Sequence, residues 1–151
     1  MHLYRFRILS DENENFVRDI EILAQQSFGD FYTLLIESCK IMEEGLASFF
    51  ICDQQWNKRH EVTLIDMGQN LVLPGEDEER SPAFNIPVSV MGNSKLSDFI
   101  DDPHQRILFE YDILDQKVLF IELIKICSSD PQIDYPQCIS SRGELLPEKE
   151  D

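Results

Sequence analysis

Glycine is scarce in this chain, six among 151 residues, and the sequence holds no Gly-rich phosphate loop, Walker sequence, Gly-x-Ser-x-Gly elbow or His-Glu-x-x-His spacing. Cradling a phosphate on backbone N–H groups needs glycines where the chain approaches the ligand, so phosphate chemistry of that kind has little to build on. Cations are short too: 13 Lys and Arg stand against 29 Asp and Glu, a formal net charge of −16. Affinity for nucleic acid comes mainly from cations that displace phosphate counterions, so binding to a duplex is disfavoured. No apolar run approaches the roughly 18 residues of a membrane span. The opening residues 1–8 alternate apolar and basic side chains and lack the continuous apolar stretch of a signal peptide. The four cysteines, Cys39, Cys52, Cys127 and Cys138, form no Cys-x-x-Cys pair, and three of them fall in strongly apolar segments. There a reduced thiol packs as a small hydrophobe. His2, His60 and His104 are not spaced as zinc ligands with those cysteines. These absences point to a reduced, cytoplasmic protein with no cofactor, no disulfide framework and no membrane segment.

Apolar material is plentiful. The chain is 42% hydrophobic and carries ten Phe. A domain of this length can bury about 68–70% of its unfolded surface, enough for one real core. Residues 3–9 and 16–23 alternate as strands, with Tyr4, Phe6 and Ile8 on one face and Arg5 and Arg7 on the other. The polar segment 10–15 between them turns the chain into an antiparallel hairpin. Ser27 followed by Asp30 has capping-box spacing and opens a helix. Phe28, Phe31, Leu35, Cys39 and Met42 recur along its buried stripe, Leu34 and Ile41 widen it, and Gly45 stands where a left-handed residue would end it.

Further strands are expected over residues 47–52, 61–65, 106–113 and 117–127, the last of these central because it is the most apolar. Residues 96–100 predict a short second helix. The fold class is therefore α+β: a mostly antiparallel or mixed sheet beginning β-β-α-β, with one main helix packed on one face. A single domain is expected over residues 1–138, with an acidic loop at about 66–87, followed by a polar, frayed tail over 139–151.

Few side chains suggest chemistry. Asp98, Asp101, Asp102 and His104, with Asp112 and Asp115 close behind, could hold Mn²⁺ or share a proton as a carboxylate-rich metal-dependent enzyme would. The plainer reading is a short helix ending in solvent-facing acids and a turn at Asp102-Pro103. Trp56 and Tyr111 are the aromatics most suited to a surface role. Trp56 follows a polar turn where a half-exposed indole can seed a partner interface, against the alternative that it packs over the sheet edge. The run Glu76, Asp77, Glu78 and Glu79 would add acidic surface beside it, unless it is only solvated.

At Phe109-Glu-Tyr-Asp112, with Asp115 three residues on, the chain resembles the Ri-plasmid open-reading-frame-three-like family, whose members are also described as transposon passenger proteins. That family's pattern is Tyr-Asp-Phe-Gly-Asp-x-Trp-x-His, an apolar strand, then Tyr-Pro-x-Cys. Tyr111, Asp112 and Asp115 match it, as do Ile121, Leu123, Lys125 and Ile126 in the strand and Tyr135, Pro136, Cys138, Pro147 and Glu148 beyond. The family's Phe-Gly is Ile113-Leu114 here, and its Trp and His are Lys117 and Leu119. Leucine offers neither lone pair nor proton, so no base or ligand can stand at position 119. The resemblance implies an α+β fold with a mixed or antiparallel sheet and no defined activity.

The residues together favour a non-catalytic module, not an enzyme, that contacts another protein with a basic surface. The rivals are the metal-dependent enzyme and a nucleic-acid-associated mobile-element protein. For the latter, Arg5, Arg7, Arg18, Lys58 and Arg59 would have to form a basic face.

Overall fold

A computed structural model of the protein describes residues 1–41, 46–64, 86–112 and 117–145. They form a mixed α+β architecture: β1 (His2–Ser10), β2 (Val17–Leu23), α1 (Phe28–Ser38), β3 (Ser48–Cys52), β4 (Lys58–Thr63), β5 (Val88–Val90), β6 (Arg106–Asp112), β7 (Lys117–Ser128) and β8 (Gln137–Arg142). The strands make one sheet in the order β5-β4-β3-β6-β7-β1-β2-β8. Among the described residues only the β4–β5 pair is parallel. Two 3-10 turns, Met91–Asn93 and Leu96–Asp98, lead into β6, and the second stands where the short helix is expected.

Alternation in β1 decides which way the sheet faces. Phe6 and Ile8 are completely buried and Tyr4 nearly so, while Arg7 is exposed. The β1–β2 hairpin runs in register from Leu3↔Leu23 to Leu9↔Val17. Its connection is held locally: Ser10 Oγ accepts from Glu12 N, and Asn13 Oδ1 accepts from Asn15 N. Such side-chain turns satisfy backbone donors without a ladder.

The capping box at the start of α1 is complete. Ser27 Oγ accepts from the Asp30 amide, and Asp30 Oδ2 accepts from the Ser27 amide, both at 3.1 Å. From this start the helix delivers Phe28, Phe31 and Leu35 into the core. Phe31 stacks on Phe6 of β1 at 5.1 Å and on Phe49 of β3 at 4.9 Å, and Phe49 continues to Phe109 of β6 at 4.8 Å. One run of rings thus joins the helix to three strands. Offset aromatic pairs add about 0.5–1.5 kcal/mol each beyond the area they bury.

The helix ends earlier than its apolar stripe suggests. It stops at Ser38, with Cys39 as C-cap, and the left-handed residue is Lys40 (φ 56°) rather than Gly45. The Ile41 amide donates to Ile36 O at 3.1 Å, the six-to-one bond of a Schellman ending. Burial of Ile41 against the core fixes this exit and offsets the ~1–2 kcal/mol that a left-handed lysine costs. Met42 and Gly45 lie outside the described residues, as does most of the acidic loop, including Glu76, Asp77, Glu78 and Glu79.

The domain boundary placed at residue 138 falls inside β8, which pairs with β2 from Glu21↔Gln137 to Val17↔Arg142. Residues 139–142 are therefore sheet, not tail. The fastening comes from Arg18, which is buried. Its Nη1 donates to Val17 O and Arg142 O, and its Nε donates to Ser38 O at 2.8 Å. One guanidinium so ties β2, β8 and the last turn of α1. Gly143 then turns with φ 69° so close to Asn15 that a Cβ would sit 2.5 Å from the Asn15 carbonyl oxygen. Only glycine fits there.

Truncating the ring at the centre of the stack leaves a cavity that α1 cannot close. Phe31→Ala is expected to lower unfolding free energy by about 3–5 kcal/mol, against about 1 kcal/mol for the cap change Ser27→Ala, both read from urea titrations.

Candidate functional site

The sheet face that carries Arg5 and Arg7 has a different chemistry from the phenyl core. Arg7 holds Asp19 through two bonds, at 2.9 and 3.0 Å, and Arg5 holds Glu21 at 2.6 Å. Lys58 meets Glu110 at 2.7 Å, Arg106 meets Glu122 at 3.7 Å, and Arg59 meets Asp53 at 3.0 Å. Register sets three of these pairs, Arg5 with Glu21, Arg7 with Asp19 and Arg106 with Glu122. Glu122 also lies opposite Arg7, so Arg106, Glu122, Arg7 and Asp19 form a row of alternating charge across four strands. Exposed pairs of this sort contribute about 0–1 kcal/mol each, so they matter more for matching charge than for stability.

Beside the row lies a smaller apolar cluster. Phe50, Cys52 and Leu108 are buried there, with Trp56, Ile86, Val118 and Phe120 packed against them. Trp56 occupies a left-handed position (φ 66°) in the β3–β4 loop, which is costly for a bulky residue. Asp53 organises the loop. Its Oδ1 accepts from the Gln55 and Asn57 amides, and its Oδ2 accepts from Asn57 and Arg59 side chains. The Asn57 amide and the other donors hold the Asp53 carboxyl down at about 2. The indole meets Phe120 edge-on at 5.3 Å, with the Arg106 guanidinium 5.1 Å from its ring centre. Trp56 thus packs over the sheet surface and remains half-exposed.

The four residues considered for a metal are not gathered. Asp102 Oδ1 accepts from the His104 amide at 2.8 Å, and its Oδ2 accepts from Gln54 Nε2 at 3.1 Å, so this carboxylate shapes a turn. Asp98 and Asp101 are exposed, and among the described residues no three His, Cys, Asp or Glu side chains come together as a metal site. Tyr111 is buried and stacks on Phe109 at 5.6 Å. Asp112 closes β6 opposite Lys117, and Asp115 lies outside the described residues. Leu119 is wholly inside the core. The segment between β7 and β8 is pinned by Tyr135, whose carbonyl accepts from Gln26 Nε2 at 2.9 Å and whose hydroxyl accepts from the Asp130 amide at 3.1 Å. The Tyr135-Pro136 peptide bond is cis, and Cys138 pairs across from Ile20.

One pairing has no local signature in the sequence. His60 Nε2 and Ser89 Oγ lie 2.8 Å apart on the neighbouring strands β4 and β5, and the Phe99 ring stands edge-on to the imidazole at 4.8 Å. Twenty-nine residues separate the two in the chain. Burial holds the His60 imidazole below its ordinary value of 6.5. The unfolded chain therefore takes up a proton before the folded one does. The resulting loss of stability is absent above pH 6.5, sets in as pH falls through that value, and is complete below the folded-state value. His60→Gln is expected to flatten the fall in urea midpoint between about pH 7 and about pH 5 relative to the parent.

Burial also pushes the Cys39 and Cys52 thiols up to about 11, which keeps them protonated and unreactive near neutral pH. Cys127 and Cys138 are only partly covered. A thiol reagent such as Ellman's is expected to label Cys127 and Cys138 in the native protein, and to reach the other two only on unfolding. Peptide mapping distinguishes the four.

The family model described as "Plasmid pRiA4b ORF-3-like protein" matches residues 2–150. No curated protein matches the chain. Among solved structures, the crystal structure of MM3350, a protein of unknown function from Methanosarcina mazei Go1, superposes with a TM-score of 0.72 at 17% identity, covering 97% of this chain and 73% of that one. At that identity the likeness concerns the fold alone.

Proposed function

Since this chain belongs to the plasmid pRiA4b ORF-3-like protein family, we propose that it works as a non-catalytic interaction module that docks on a protein with a basic surface. The observation that carries this reading is where the cations go. Arg5, Arg7, Lys58 and Arg59 each face a carboxylate, and Arg18 is buried on backbone carbonyls. The residues that would have to form a basic face for nucleic acid are committed to internal partners. The surplus of 29 acidic over 13 basic residues then sets the outward field. Such a field attracts and orients a cationic partner over a Debye length of about 10 Å and weakens with salt.

The metal-enzyme alternative gains nothing from Asp102, which is already used in its turn. A reducing compartment suits four free thiols, two of them core residues. No helix among the described residues is long and apolar enough to cross a membrane.

Immobilised protein is expected to retain a cationic protein partner at low ionic strength and release it as salt rises. Single- and double-stranded nucleic-acid probes are expected to show no mobility shift under the same conditions. A shift, or an empty column at low salt, rejects the proposal.

A further inference from the structure

Strand β7 outruns one of its neighbours. Its register with β6 ends at Arg106↔Glu122, and the last bond between them is Leu123 N–H to Gln105 O at 2.9 Å. On its other side β1 stays with it as far as His2↔Ser128. Beyond Leu123, β7 therefore has β1 on one edge and, among the described residues, no strand on the other. The turn at residues 102–105 diverts the chain that would have filled the gap, with the Gln105 amide donating to Asp102 O at 3.0 Å.

The alternation of an antiparallel ladder shows what that edge presents. Ser129 N donates to Met1 O at 2.8 Å, so Met1 and Ser129 form a hydrogen-bonded pair. Two steps along, Leu3 and Cys127 do the same, while Tyr4↔Ile126 and His2↔Ser128 are the non-bonded pairs. The N–H and C=O groups of Ile126 and Ser128 accordingly point to the open edge. Ile124 and Ile126 are 39% and 45% exposed, apolar side chains that an added strand would cover. Lys125 lies between them, opposite Arg5. Carboxylates stand close along the chain to the ends that border the open edge: Asp101, whose amide reaches Gln105 Oε1 at 3.4 Å just before β6, Asp98 in the 3-10 turn that precedes it, and Asp130 just after the end of β7. All three are exposed, and none has an ion-pair partner among the described residues.

The outer edges of the sheet invite addition less. β5 is three residues long, and β8 carries a bulge in mid-strand opposite Asp19 and Ile20, both recognised guards against pairing. The bulge in β7, at Ile124 opposite Arg5 and Phe6, lies at the near end of the open length and leaves residues 125–128 in regular pairing with β1.

We propose that the open edge of β7 at residues 124–128 takes up an extended segment of a partner protein as an added strand, a segment in which Lys or Arg alternates with aliphatic residues. Main-chain bonds to Ile126 and Ser128 would supply affinity, the isoleucines would cover its apolar side, and the acids would select its charge. The proposal rests on the reading of this protein as an interaction module and names the site of that interaction.

The test titrates the full chain into a fluorescent peptide of about ten residues alternating lysine and valine, with a glutamate–valine peptide as control. Saturable binding of the lysine peptide that weakens with salt is expected, with none for the glutamate peptide. Ile126→Pro removes an outward donor while leaving the bonds to β1 intact, and is expected to weaken binding about tenfold. Asp98→Asn with Asp101→Asn is expected to weaken it at low salt only. Slowed amide hydrogen exchange at Ile126 and Ser128 on peptide addition, measured in the parent chain, keeps the test decisive if the proline variant unfolds. Absent binding, equal binding of the glutamate peptide, unchanged exchange, or full binding by a folded Ile126→Pro overturns the proposal. A dimer that Ile126→Pro dissolves would assign the edge to a second copy and also overturn it. Equal capture of one cationic partner by parent and Ile126→Pro sinks this site while the broader reading stands. Peptide binding by a chain that captures no protein at low salt sinks the broader reading instead.

Discussion

The stack of rings from Phe6 through Phe31 and Phe49 to Phe109 is the contact on which the other features rest, because it fixes α1 over three strands that are far apart in sequence. Once those rings interdigitate, the residues between them on each strand must face the other way. Arg5 and Arg7 are turned outward because Tyr4, Phe6 and Ile8 are turned in. The same period brings Glu122, Arg106 and Asp19 into one row with Arg7. The charge pattern of the outer face is a consequence of packing on the inner one. A slip of one residue in β1 would bury Arg5 and Arg7 and expose Phe6, which is why the register is strongly specified.

A chain with a formal charge of −16 could have scattered its few cations as isolated points on an acidic surface. Seven of them, Arg5, Arg7, Arg18, Lys40, Lys58, Arg59 and Arg106, stand instead against carboxylates or backbone carbonyls. The exposed pairs stabilise little, yet they offset the charge of these cations locally. The proposed preference for cationic protein segments over phosphate backbones rests on that same arrangement. Strand β7 supplies a length of open edge, created because the turn at Asp102-Pro103 diverts the chain before β6 can extend.

Local signals were legible where local forces decide. Ser27 and Asp30 cap each other across three residues, and the alternation of β1 shows its buried face directly, so both could be read before any tertiary contact was known. The end of α1 could not. Gly45 is the better left-handed residue by intrinsic preference, but the chain turns at Lys40 because Ile41 finds a buried place beside Ile36. Strand β8 was hidden for the opposite reason. An edge strand with four exposed residues has no apolar period to display, and what makes it a strand is Arg18, more than a hundred positions away.

The amino-acid sequence by itself determined the α+β class, the capped helix, the buried faces of the strands and the family, since each depends on spacing over a few residues or on a pattern carried along the chain. Only the tertiary structure decided that His60 meets Ser89, that each of five cations finds its partner, that Asp102 accepts from the Gln54 side chain, and where β6 abandons β7. These are juxtapositions across strands, and the register that creates them is set by the phenyl core as a whole, not by any segment read alone.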